Sequence, residues 1–80
     1  MKKKLYILLD NKPGVLSRII GIFSQRGYNI EKIIVKPFKK NRKISEALIK
    51  LKNSKNITNQ IKKKLLGLIN ISHVKIIKKK

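Results

Sequence analysis

Cysteine and tryptophan are absent from the 80 residues, and there is one histidine, His73. Without cysteine there can be no disulfide and no thiolate metal site, which fits a reducing compartment. A lone histidine cannot assemble a metal centre. No stretch approaches the roughly 20 apolar residues of a membrane span. The opening Met1-Lys2-Lys3-Lys4-Leu5-Tyr6 looks like the start of a secretory signal, but its apolar run is only five residues long before Asp10 ends it, against the roughly 7–15 of a signal core. A soluble, cytoplasmic chain with no membrane partner is expected.

Acidic residues are equally scarce: Asp10, Glu31 and Glu46 are the only three. They form no pair at helical spacing, and nothing suggests a Ser-His-Asp or Cys-His set, so catalysis by this chain is not expected. Four aromatics, Tyr6, Phe23, Tyr28 and Phe38, are few for base stacking. The third strand reads Ile44-Ser45-Glu46-Ala47-Leu48-Ile49 where a sheet-type RNA binder carries a basic-Gly-aromatic signature. Both facts argue against nucleic acid as a partner.

What is abundant is lysine. The net charge is +19, and lysine, isoleucine and asparagine supply 19, 15 and 7 of the residues. A strongly basic domain can attract nucleic acid or anionic membrane. However, all three residues have AT-rich codons, and arginine, the better phosphate reader, occurs three times. Drift in base composition is the preferred reading, with the lysines marking solvated faces.

The patterning predicts one domain. Residues 3–9 read as a strand with Leu5, Ile7 and Leu9 on one side and Tyr6, Leu8 and Asp10 on the other. Both sides are mostly apolar, so a central strand covered on both faces is expected. Pro13 suits the first turn of a helix, and Val15, Leu16, Ile19, Ile20, Ile22 and Phe23 follow at helical spacing. Gly27 sits where a left-handed cap is wanted. Residues 28–38 form a second strand, 39–43 a polar turn, and 44–52 a third strand with Ala47, Ile49 and Leu51 on one face. Asn53-Ser54 can cap a second helix with the stripe Ile57, Ile61, Leu65 and Leu68, and 70–78 supply a last strand.

This βαββαβ order is the ferredoxin-like α+β plan, two helices on one face of a four-stranded antiparallel sheet in the order 4-1-3-2. Strand 2 then lies at an open edge. A domain this small buries only about 60% of its unfolded surface, so self-association through that edge is expected to stabilise it.

The loop Asp10-Asn11-Lys12-Pro13-Gly14 joins a strand end to a helix start. Free N–H groups and the helix dipole favour an anion there, Gly14 lets a ligand approach the backbone, and the Asn11 amide can donate and accept. A zwitterion suits such a loop. On spacing alone, a plain turn with Asn11 as a local cap is the simpler reading.

The run Asn11-Lys12-Pro13-Gly14-Val15-Leu16, continued by Phe23-Ser24-Gln25-Arg26-Gly27-Tyr28-Asn29-Ile30, closely resembles the N-terminal region of acetolactate (acetohydroxyacid) synthase small regulatory subunits. That resemblance implies an ACT domain over 1–80, dimerising strand 2 against strand 2. It implies that the feedback inhibitor valine binds between subunits, with Asn11, Gly14 and Asn29 making polar contacts and Val15, Leu16 and Ile30 lining the apolar part. It also implies a non-catalytic chain that activates a large catalytic subunit, makes it answer to end product, and serves valine, leucine and isoleucine synthesis. Thiamine diphosphate, FAD and Mg would belong to that partner. Two departures stand out. Family members ordinarily carry a second, C-terminal domain, and their strand 2–3 turn is less basic than Lys39-Lys40-Asn41-Arg42-Lys43. The alternatives are a free-standing ACT-type amino-acid-binding module of another pathway and, further off, a basic RNA-binding protein.

Overall fold

A computed structural model describes residues 2–52 and 59–79. Its elements are β1 (Lys2–Asp10), α1 (Val15–Gln25), β2 (Ile30–Pro37), β3 (Ile44–Leu51), α2 (Asn59–Leu66) and β4 (Ile71–Lys79). They build one antiparallel sheet in the order β2-β3-β1-β4. The anticipated ferredoxin-like plan and strand order are both observed. The proposed cap at Asn53-Ser54 and the stripe residue Ile57 lie outside the described residues.

The core forms where alternating strand positions meet the helix stripes. Leu5, Ile7 and Leu9 of β1 and Ala47, Ile49 and Leu51 of β3 pack with Val15, Ile19 and Phe23 of α1 and Ile61 and Leu65 of α2, all buried. Along β3 the alternation is complete, with every second side chain buried. In β4 the period is broken. The register shifts between Leu8 and Leu9, whose partners are His73 and Ile71. This irregularity leaves Ser72 without a place in the alternation and lets Ile71 and Val74, an odd number of residues apart, both reach the core.

Helix α1 ends as its sequence predicts, and the bonds show why. Gly27 has φ +76°; its N–H donates to the Ser24 carbonyl at 3.0 Å, and the Tyr28 N–H donates to that of Phe23 at 2.9 Å. This pair of bonds is a Schellman motif. Its usual apolar contact is made by the Phe23 and Tyr28 rings, centroids 6.0 Å apart. Tyr28 is thus part of the cap, and β2 begins two residues later than the patterning suggests. Nothing lies within 4 Å of a Cβ built on Gly27, so a side chain there would add backbone strain alone. Gly27→Ala should destabilise by about 1 kcal/mol, read as a lower denaturant midpoint with unchanged slope.

One expectation is corrected. The sheet face opposite the helices is open, so β1 is covered on one face only: Tyr6 and Leu8 are half-exposed, as is Leu48. There the Tyr6 hydroxyl donates to Glu46 Oε2 at 2.6 Å, and Lys36 Nζ lies 3.4 Å from Oε1. The hydrogen bond to Glu46, then burial and the carboxylate's charge, raise the Tyr6 phenol above its ordinary 10.0. The same bond, with help from Lys36 and against burial, holds Glu46 below its ordinary 4.5. A depressed acid stabilises above its unfolded pKa and loses that as pH falls through the folded one. A raised phenol stabilises below its unfolded pKa and loses that as pH rises through the folded one. The stability difference between wild type and Tyr6→Phe should therefore be flat from about pH 5 to 9 and shrink outside it. Denaturation at a series of pH values checks this.

Candidate functional site

The β1–α1 loop is a compact double turn. The Val15 N–H returns to the Lys12 carbonyl at 3.3 Å, enclosing Pro13 and a Gly14 at φ 87°, ψ −16°. These are the central residues of a type II turn, which needs positive φ at its third position. Pro13 therefore serves this turn and not, as anticipated, the first turn of the helix. Gly14 is also the residue that caps α1. It has no side chain to offer, the helix has no side-chain cap bond, and no acidic residue stands in its first turn. The Val15 amide is used by the turn, and that of Arg18 donates to the Gly14 carbonyl at 3.0 Å. The amides of Leu16 and Ser17 lie between them at the positive end of the helix, without helical acceptors. The loop is both the plain turn and an anion-receptive helix start.

Asn11 is fixed by two bonds to one turn. Its N–H donates to the Lys43 carbonyl at 2.8 Å, and its side-chain amide reaches the Arg42 carbonyl at 3.4 Å. The basic β2–β3 turn thus braces the loop. Asp10 is held on the other side, accepting from Asn70 Nδ2 at 3.0 Å while its N–H donates to the Asn70 carbonyl at 2.8 Å. Sequence reasoning missed Arg42, Lys43 and Asn70. Their contributions are mainly backbone groups and a distant amide, which no local spacing reveals.

The six candidate ligand residues fall into two groups. Asn11 and Gly14 are exposed, Leu16 is half-buried, and Val15 is buried against the core. Asn29 is exposed and Ile30 half-buried at the start of β2. Here the Asn29 carbonyl accepts from the Lys52 N–H at 2.9 Å. Asn11 is therefore tied to Lys43, before β3, and Asn29 to Lys52, just past its end. The eight residues of β3 lie between these anchors, nine steps or roughly 30 Å at about 3.3 Å per residue. The longest dimension of the domain is 32 Å. In one chain the two groups of candidate residues therefore stand at opposite ends of the sheet and cannot both reach one small ligand.

Among the described residues, no three His, Cys, Asp or Glu side chains gather as a metal site, and no helix is long and apolar enough to cross a membrane.

Residues 5–73 match the family model described as the AHAS small subunit-like ACT domain. The chain belongs to that family. Within it, the chain is 47% identical over 70 residues to the acetolactate synthase small subunit of Buchnera aphidicola subsp. Baizongia pistaciae, covering 88% of itself and 43% of that relative. It is 40% identical over 74 residues to the acetolactate synthase isozyme 3 small subunit of Escherichia coli, covering 92% and 45%. Its fold superimposes on the crystal structure of the acetolactate synthase small subunit from Thermotoga maritima with a TM-score of 0.83 at 28% identity, covering 98% of this chain and 48% of that one. This ACT domain thus spans less than half the length of the curated relatives it matches.

Proposed function

We propose that this ACT domain is the effector-binding part of an acetolactate synthase small subunit. It performs no chemistry. It binds the large catalytic subunit in the cytoplasm, raises its activity and makes that activity sensitive to valine, within branched-chain amino acid synthesis. Thiamine diphosphate, FAD and Mg are held by the large subunit.

The observation that carries this reading is an α1 that starts at Gly14, after β1, with no side-chain cap bond, in a chain whose family match covers residues 5–73. The valine carboxylate would accept from the Leu16 and Ser17 amides. Its side chain would lie on Leu16, Val15 and Ile30, and its ammonium would face the oxygens of Asn11 and Asn29. Because those asparagines lie at opposite ends of one sheet, the site is completed by a second copy.

Strand β2 ends the sheet and bears the exposed Ile34 and Val35. Pairing two such edges antiparallel sets the start of one β2 beside the end of the other. That end neighbours loop 10–14, since Pro37 pairs with Ser45 and Asp10 with Ile44. A homodimer of this kind juxtaposes Asn29 of one chain with the Asn11 loop of its partner.

Adding the chain to purified large subunit and assaying acetolactate tests the proposal. Activity should rise and then fall on adding valine. No rise in activity would overturn it.

A further inference from the structure

The open face of the sheet carries side chains that neither the core nor the effector loop uses. Ile34, Leu48 and Tyr6 stand side by side across β2, β3 and β1, because Ile34 pairs with Leu48 and Leu48 with Tyr6. Leu8 extends this apolar row by one step along β1. Ile34 is 44% exposed. A shallow hollow of about 360 Å³ opens over Tyr6, Ile34 and Leu48, walled by Lys36 and Glu46.

Cations flank the row. Lys32, Lys50 and Lys4 are aligned as the next row on one side. Lys36 stands on the other, and Lys75 pairs with Tyr6 on β4. The carboxylates of this face among the described residues are Glu46, bonded to Tyr6 and Lys36, and Glu31, 3.4 Å from Lys50. Base-composition drift accounts for the number of lysines but not for a water-facing apolar row at their centre.

We propose that this open face is where the chain docks an acidic, partly apolar protein surface, that of the large catalytic subunit. The inference rests on the regulatory reading above. A second copy is a poor occupant, since face-to-face packing would set lysine against lysine on a chain of net charge +19. Nucleic acid is also a poor one. A stacking platform needs several free rings, whereas Tyr6 is tied to Glu46 and meets His73 edge-on at 6.4 Å, and Glu46 would repel phosphate.

Size supports a shared surface. Four strands of about seven residues make a face of roughly 19 by 23 Å. This is about half of the ~800 Å² per partner of a standard interface, and two chains joined at β2 would present the whole.

The test is a titration of the chain against purified large subunit at two salt concentrations, with three variants. Lys75→Glu and Leu48→Gln alter the open face, while Lys63→Glu makes the same charge change at an exposed position of α2. Lys75→Glu should weaken association about tenfold or more, with a shallower salt dependence. Leu48→Gln should do the same by loss of apolar contact. Lys63→Glu should stay within about twofold. Lys75 is exposed, so its variant remains informative even where Leu48→Gln lowers stability.

If wild type binds and the face variants match Lys63→Glu, the docking face is overturned and the regulatory reading stands. If wild type binds valine but not the large subunit, both fall. Salt-steep binding of single-stranded RNA, abolished by Lys75→Glu, would make nucleic acid the occupant and overturn the proposal.

Discussion

Phe23→Ala is expected to leave the isolated chain largely unfolded. Phe23 is fully buried at the C-terminal end of the α1 stripe, and truncating a buried phenylalanine costs about 3–5 kcal/mol. A chain of this length has a stability of roughly 4–12 kcal/mol by the usual per-residue range, and a domain this small belongs at the low end, where the loss takes most of it. The ring has a second role, packing on Tyr28 to close the Schellman cap. The variant should therefore also free the start of β2, where Asn29 sits. Ile20→Ala on the exposed side of the same helix, with Ile20 36% exposed, should cost less than about 1 kcal/mol. Urea denaturation followed by far-UV circular dichroism compares the two. Equal losses would mean that the helix is not seated as described.

Asn29→His should remove valine inhibition while leaving activation of the large subunit intact. The native fold uses the Asn29 carbonyl, which accepts from Lys52, and histidine retains that group. The exposed side chain is reserved for the ligand in the proposed site. Losing a hydrogen bond to a charged group costs about 1.5–3 kcal/mol, so half-inhibition should need about ten to a hundred times more valine. Acetolactate assays across a valine series measure both effects. Loss of activation with an unchanged valine response would refute the site assignment.

Much of this architecture is legible in the residues because local rules and the global fold agree there. Gly27 is at once the end of an apolar stripe and the left-handed cap that the bonds of Ser24 and Phe23 require. The alternation of Ala47, Ile49 and Leu51 survives intact because β3 is paired on both sides. Where the two disagree, the residues mislead. Tyr6 and Leu8 look like the second covered face of a central strand, yet among the described residues a single layer of helices covers the sheet. Their apolar character then belongs to a surface and not to the core. Pro13 fits both a first helical turn and a type II turn, and the positive φ of Gly14 selects the latter. The irregular register opposite Leu8 and Leu9 has no local signature in Ser72.

Of the candidate site, the Asn11 loop was legible in its local chemistry and Asn29 only through the family resemblance. The distance between them was legible in neither, because it is the strand register that separates them by the length of β3. Because of that separation, the proposed effector site is shared between two chains.

Subunit complementation tests it most directly. Asn11→Ala and Asn29→His each damage one half-site, and either variant alone should bind valine weakly in calorimetric titration. When the two are mixed and allowed to exchange, half the dimers should be mixed, each with one doubly damaged and one intact site. High-affinity binding should then return at roughly a quarter of all sites. Two variants that stay defective in the mixture, while exchange is demonstrated, would contradict a shared site.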